Sequence, residues 1–541
     1  MFSSRPLRPC LPRRVLLLLV CLILGTAVPK ATQATAPFTP APCPIAAPEG
    51  TRMDCGVLTV PESRSNFTGT TIRLPVAILR SPNLHKASDP VVFLQGGPGA
   101  ATLTLAPILV SAYRPILAER DIVLMDQRGT GFAAPRLDCP GISSSSLRSR
   151  LQSQLRASDQ SETLQWQANQ LAQCGRSLRA DDIDLRAYNS AESAADYEDL
   201  RLALGYGPWN VIGGSYGTHL ALSMVRFRPA TLRSVVLDSL DPFQANFQVD
   251  VFSSYNRTLT LLAAECAAEP ACKRAYPDLL GTFDKLYAQL NSSPAQVPVL
   301  DPQTGRTTAY LPLSGVTFSN LIFQLFYATE VIPMLPLLIG ETAQGNYLPL
   351  GSLLGTLLTA QPTQTAGAAE AVGMLTAVQC NEDVTFATRK DFIAARHQHP
   401  RARSLSFMLF FNEKILEGCA GFGLNNPDPL ENQAVHSDRP ILILSGTNDP
   451  ITPPEYAATG AATLSNSFTI TYPRGGHAPS FSSLCLAAAV ATFLNTPEQR
   501  PDTACIAQEA PRSFLTPSTT SPQRFKRVLS HFSRALPVHF R

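Results

Sequence analysis

The chain has no Cys-x-x-Cys pair, no glycine-rich phosphate loop, no dinucleotide fingerprint and no repeat of fixed period. The first absence argues against a thiolate zinc site. The next two argue against nucleotide chemistry, and the last against a solenoid or propeller. Charge is also scarce: 16% of the 541 residues are charged and 45% are apolar. That balance suits a large buried core and excludes wholesale disorder. Histidines number eight. His397 and His399 lie in a basic, loop-like stretch and read as solvated rather than metal-binding. No metal and no organic cofactor is expected.

The net charge of +3 is unevenly spread. Five basic residues and no acids precede Pro37, and six with no acids follow from Arg512, leaving −8 between. A mildly acidic body argues against nucleic acid as the main partner. Arg5, Arg8, Arg13 and Arg14 precede an apolar run from Val15 to Leu24, and small residues follow it. This is the pattern of an export signal over residues 1–36. A permanent anchor is the alternative, but the run is short of the ~20 residues a span needs. The expected location is secreted or periplasmic, with no stable span after signal removal.

Ten cysteines remain beyond that segment, an even number that reads as disulfides in an exported chain. Sequence neighbours suggest 43 with 55, 139 with 174, 266 with 272, 380 with 419 and 485 with 505, although sequence does not fix connectivity.

Residues 37–50, rich in Pro, Ala and Thr, read as a linker. Val57–Val60 and Thr71–Leu79 are β-like. Val91–Leu94 and Ile122–Met125 are short apolar runs of the buried parallel kind, and Trp209–Ile212, Ser234–Leu237, Pro440–Leu444 and Ser467–Tyr472 read as further strands. Helical patterns alternate with them at Ala191–Leu204, Tyr216–Arg226 and Ser482–Leu494, which predicts a doubly wound sheet. The alternation stops near Asp241 and resumes near Pro440. The expected plan is an α/β core over 51–241 and 438–511, a mainly helical lid inserted at 242–437, and a basic tail over 512–541. Within the insertion Val331–Leu358 is apolar and reads as lid core or pocket wall, and Gln361–Ala369 as a loop. The tail reads as disordered or loosely docked, with contact to an anionic surface as the sharper alternative.

Gly213-Gly214-Ser215-Tyr216-Gly217 sits between a strand and a helix. A turn this tight needs glycines around a serine, which is then displayed over a helix N-terminus. Ser215 is the candidate nucleophile. Gly475-Gly476-His477 follows another strand and offers an imidazole whose ordinary pKa suits proton transfer near neutrality. His219, on the helix after Ser215, points away from the turn and reads as packing, and His436 precedes a strand. Asp449, beyond Ile441–Leu444, is the candidate that orients His477; Asp238 is its rival. Gly96 and Gly97, after Val91–Leu94, and the backbone N–H of Tyr216 are the candidate oxyanion donors.

Four segments, Gln95–Gly99 (Q-G-G-P-G), Asp126–Gly131 (D-Q-R-G-T-G), Gly213–Gly217 and Gly446–Pro453 (G-T-N-D-P-I-T-P), resemble proline iminopeptidases, and most of all the secreted tripeptidyl aminopeptidases of that group. The helix around Ala194-Ala195-Asp196 fits the same resemblance. It implies an α/β-hydrolase fold with a helical lid, and removal of residues from peptides with free N-termini. It also implies lid acids that hold the substrate's ammonium. Gln379-Cys380-Asn381-Glu382 is similar to the matching stretch, so Glu382 is the ammonium candidate, with Asp383 and Glu192 behind it. The resemblance implies that Arg128 and Asp126 form a structural charged pair bracing the oxyanion loop. Gln95 departs from the histidine of many relatives. Two other readings stay open: an ester or lipid hydrolase with the same three residues, and a non-catalytic binding protein. Oligomeric state is not legible.

Overall fold

The structure is a computed structural model that describes residues 36–66, 68–140, 142, 160–359, 369–509, 513–517 and 529. Residues 1–35 of the expected export signal, most of the expected 361–369 loop and most of the basic tail lie outside the described residues.

Eleven strands are described. In chain order they are β1 (Phe38–Pro40), β2 (Arg52–Pro61), β3 (Thr71–Arg80), β4 (Val91–Leu94), β5 (Ile122–Met125), β6 (Trp209–Gly214), β7 (Leu232–Asp238), β8 (Ala295–Leu300), β9 (Thr307–Leu313), β10 (Ile441–Gly446) and β11 (Ser467–Tyr472). Nine form one sheet in the order β1-β2-β3-β5-β4-β6-β7-β10-β11. The first three pairings are antiparallel, and the five from β5 through β11 are parallel.

β4 and β5 are short and continuously apolar because both faces are covered. β4 shows how: Val92 and Leu94 pack into one cluster, Val91 and Phe93 into the other. Side chains alternate across a strand, so a four-residue run serves both layers. Each such side chain contributes about 1.5–3 kcal/mol by leaving water.

β7 and β10 are neighbours in space although some 200 residues separate them. The intervening segment carries its own apolar cluster, built by Phe318, Ile322, Phe323, Leu335, Leu338 and their neighbours. That segment is helical apart from an antiparallel hairpin, β8–β9. Within it Leu335–Ala343 and Leu348–Thr359 are helices, and Leu338 and Leu353 are buried. His397 stands in the last turn of the helix Arg389–Gln398, not in a loop as its composition suggested.

Residues 37–50 are not a free linker. β1 pairs with β2, and a disulfide ties Cys43 to Cys55. The other bridges are Cys139–Cys174, Cys266–Cys272, Cys380–Cys419 and Cys485–Cys505, the sequence-neighbour pairs. The described start of the tail is docked rather than loose. Phe514 and Leu515 are 1% exposed within the insertion's cluster, and Arg474 stacks over the Phe514 ring at 4.3 Å. Among the described residues no helix is long and apolar enough to cross a membrane.

Candidate active site

Ser215 stands between β6 and the helix Tyr216–Phe227, with φ +56° and ψ −131°. A non-glycine residue in the left-handed region is uncommon and stores strain that its surroundings must hold. Those surroundings are glycines with no room for a side chain. A Cβ on Gly213 would lie 2.3 Å from the Gly217 carbonyl oxygen, and one on Gly217 2.1 Å from that of Leu94. The backbone can therefore fold tightly enough to leave Ser215 between the end of β6 and the start of the helix.

His477 lies in the loop after β11, and Asp449 in the loop after β10. Nδ1 of His477 is 2.7 Å from Oδ2 of Asp449. Asp449 is wholly buried and also accepts from the Ser239 hydroxyl (2.9 Å), the Thr452 hydroxyl (2.8 Å) and the Ile451 and Thr452 amides (2.9 and 3.0 Å). Burial alone would raise its pKa. The His477 imidazole and the two amides outweigh that and hold the carboxyl below its ordinary value. Nδ1 thus carries the proton in the neutral ring, which leaves Nε2 unprotonated. Nε2 is buried and has no hydrogen-bond partner among the described residues. The Tyr327 ring packs against the imidazole at 5.0 Å, and the His477 amide donates to the Tyr327 carbonyl. The inserted segment therefore helps to hold His477 in place.

Asp238, the rival acid, bonds elsewhere. Its Oδ2 accepts from the hydroxyl and amide of Ser480 (2.5 and 3.2 Å). Burial pushes its pKa up to about 7, so it lacks the stabilised charge that Asp449 has.

The loop after β4 runs directly over Ser215. A Cβ on Gly96 would lie 2.8 Å from Cβ and 3.3 Å from Oγ of Ser215, so only glycine lets the backbone approach this closely. Gln95 gives its carbonyl to the Gln127 side chain at 2.8 Å, and Gly99 gives its carbonyl to the Ala371 amide at 2.9 Å. Gly96 is thus brought against Ser215, which Tyr216 follows, whereas a Cβ on Gly97 would meet Ala100, Gly99 and Glu370.

Asp126 and Arg128 are not a pair. Asp126 accepts from the amides of Thr102, Leu103 and Phe132, whereas Arg128 binds Asp196 with two nitrogens, each at 2.8 Å. Both are buried and structural, but each braces a different segment. The reason is local: three backbone amides satisfy the Asp126 carboxylate, and Asp196 offers Arg128 a two-pronged partner.

Glu382 ends the helix Val372–Glu382 and is 1% exposed. It accepts from the amide and hydroxyl of Ser190, and that hydroxyl also meets the Tyr216 phenol at 2.8 Å. It therefore sits behind Tyr216 in a closed chamber, not at the mouth of a cleft. His219 shares the chamber, 3.5 Å from Glu382, 3.7 Å from Glu431 and 3.9 Å from Asp241. As packing it stacks on Phe243 at 4.0 Å. Burial works against its charge, but Glu431, Asp383, Glu382 and Asp241 outweigh it and raise its pKa to about 10. Burial, then the Glu431 charge, pushes Glu382 up to about 8, and burial, then the Asp241 charge, pushes Asp383 up to about 7. Three ligand-capable atoms of His219, Glu382 and Glu431 lie within 4.8 Å of one another. A proton on His219 already offsets their charge. Glu192, the weaker candidate, is taken by Arg64 at 2.6 Å.

Sequence reasoning missed Ser239, Thr452 and Tyr327, and did not see the acids around His219. Only Thr452 had a local signal, a hydroxyl three residues after an aspartate in a turn.

A serine on a strained strand-to-helix turn, with an aspartate–imidazole pair on the same sheet, defines the serine-hydrolase class. The chain belongs to the alpha/beta hydrolase fold family, whose model matches residues 89–483. It is similar to a putative hydrolase, YuaR, of Escherichia coli (26% identical; 44% of this chain, 48% of that one). It is also similar to the serine protease Hip1 of Mycobacterium tuberculosis (26%; 40% and 42%). The chain thus aligns with less than half the length of those two relatives. A tripeptidyl aminopeptidase of Streptomyces coelicolor is 25% identical over 75% of this chain and 73% of that one. Among solved structures, the proline iminopeptidase of Mycobacterium smegmatis is 14% identical, covers 83% of this chain and 98% of that one, and has a TM-score of 0.34.

Proposed function

We propose that this hydrolase is an exported serine exopeptidase that cleaves peptides near a free N-terminus. The observation that carries the reading is the 2.7 Å bond between His477 and Asp449, on the sheet edge where Ser215 is held in its strained turn. The names of the relatives, serine protease and tripeptidyl aminopeptidase, favour a peptide substrate. Five disulfides suit an oxidising compartment.

In this mechanism His477 takes the Ser215 proton through Nε2 while Oγ attacks the peptide carbonyl. Asp449 keeps the ring in the required tautomer and stabilises its charged form. The oxyanion is met by backbone N–H groups of the Gly96–Gly97 loop and of Tyr216. The imidazolium returns the proton to the leaving amine, and water then releases the acyl group by the same steps. Glu382 is proposed to receive the substrate's ammonium once a lid movement frees it from Ser190. Burial and the neighbouring Glu431 raise its pKa against the pull of His219, and an arriving ammonium would favour its charged form further.

Matched peptides with free and acetylated N-termini test the reading. We expect cleavage of the free form only, and a Glu382→Gln variant with a raised KM for it. Equal cleavage of both forms, or faster turnover of simple esters, would replace the exopeptidase with an ester or lipid hydrolase.

A further inference from the structure

We infer that Asp238 and Ser239, the two residues at the corner where β7 ends, position all three members of the proposed triad from beneath, an inference that rests on the triad reading above. Both are wholly buried. The Asp238 carbonyl accepts from the Ser215 amide at 3.0 Å, which ties the nucleophile's turn to the corner. The Ser239 hydroxyl donates to Asp449 Oδ2 at 2.9 Å and accepts from the Ala478 amide at 2.8 Å. One side chain thereby joins the acid to the residue following the base, using its single proton and a lone pair. The Asp238 carboxyl secures the same loop two residues further on, through the Ser480 hydroxyl and amide. The Tyr113 phenol holds that hydroxyl at 2.7 Å.

The backbone is bent to make this possible. Ser239 stands at φ +64°, in the left-handed region, with its amide held by the Leu444 carbonyl at 2.9 Å. Strain at a buried serine needs compensation, and here its hydroxyl links two loops that are distant from it in sequence. Ser239 and Asp238 are positioning residues: they act on the reacting groups through Asp449 and through the loop that carries His477.

The test is Ser239→Gly, which removes the hydroxyl yet relieves rather than adds strain at positive φ. Turnover of a free-amine peptide anilide is measured across pH for the whole chain. We expect kcat to fall about 10–100-fold, the effect of losing a bond to a buried charge, with KM within about twofold. The acid limb should also move to higher pH, because a carboxylate with one donor fewer favours a proton on the neighbouring imidazole. Asp238→Asn probes the same corner from its other residue and should lower kcat about 3–10-fold, again at constant KM. Wild-type kcat in both variants overturns the inference. So does a fall in kcat that tracks a lower unfolding temperature while the acid limb stays in place. Ser215→Ala, run in parallel, separates the two levels: if it retains turnover the triad reading itself fails, whereas an inactive Ser215→Ala beside a wild-type-like Ser239→Gly overturns only the corner's role.

Discussion

The chamber behind Tyr216 makes a specific demand on stability. Glu382 has a folded-state pKa raised from an ordinary 4.5 to about 8, and Asp383 one raised from 3.8 to about 7. A carboxyl with a raised pKa holds its proton in the folded chain after the unfolded chain has lost it. Its contribution is present in full below the unfolded pKa and declines as pH rises to the folded one. His219, raised from 6.5 to about 10, acts in the same direction: it stabilises below about 6.5 and loses that effect as pH climbs toward 10. Stability should therefore fall between about pH 5 and pH 8. At about 1.4 kcal/mol per pKa unit, Glu382 alone would account for a few kcal/mol over that range. Glu382→Gln keeps the size of the side chain and cannot ionise. Thermal or urea unfolding at half-unit pH steps should show a clear downward slope for the wild type and a much flatter one for the variant. A wild-type curve that is level from pH 5 to pH 8, or a variant curve parallel to it, refutes the account of the chamber.

Asp449→Asn should lower kcat by roughly 10³-fold or more with little change in KM, because the amide can present the wrong partner to Nδ1; steady-state kinetics on a peptide anilide checks this. Gly96→Ala places a methyl 2.8 Å from both the Gly214 carbonyl and Ser215 Cβ, and should cost about 100-fold in kcat while the fold survives by circular dichroism. The Cys380→Ser, Cys419→Ser double variant opens a bridge across 39 residues. It should lose about 3 kcal/mol in urea unfolding.

Much of the core was legible because its elements are locally determined. Val91–Leu94 and Ile122–Met125 match their apolar runs residue for residue, since a strand buried on both faces must be apolar throughout and must stop where turn residues begin. Ser215 was legible for the same reason: glycines mark the tight turn in the sequence itself. The contacts that failed to show are those made across the chain. Nothing near Ser239 indicates that it will meet residues 449 and 478, and nothing near Glu382 indicates that helix packing will enclose it with His219 and Glu431. β1 was hidden because three residues within a Pro-rich stretch carry no period, and its pairing is imposed by β2 and the Cys43–Cys55 bridge. The pairing of Asp126 with Arg128 was implied by the resemblance, and it fails because backbone amides take the Asp126 carboxylate while Asp196 takes Arg128.

The central claim is that one serine among many is made nucleophilic by His477 and Asp449. Incubation with a fluorophosphonate, digestion and mass spectrometry of the adduct tests it most directly. The account predicts modification at Ser215 alone, lost in His477→Ala and strongly slowed in Asp449→Asn. An adduct on a different serine, or labelling of Ser215 that is indifferent to His477, contradicts it.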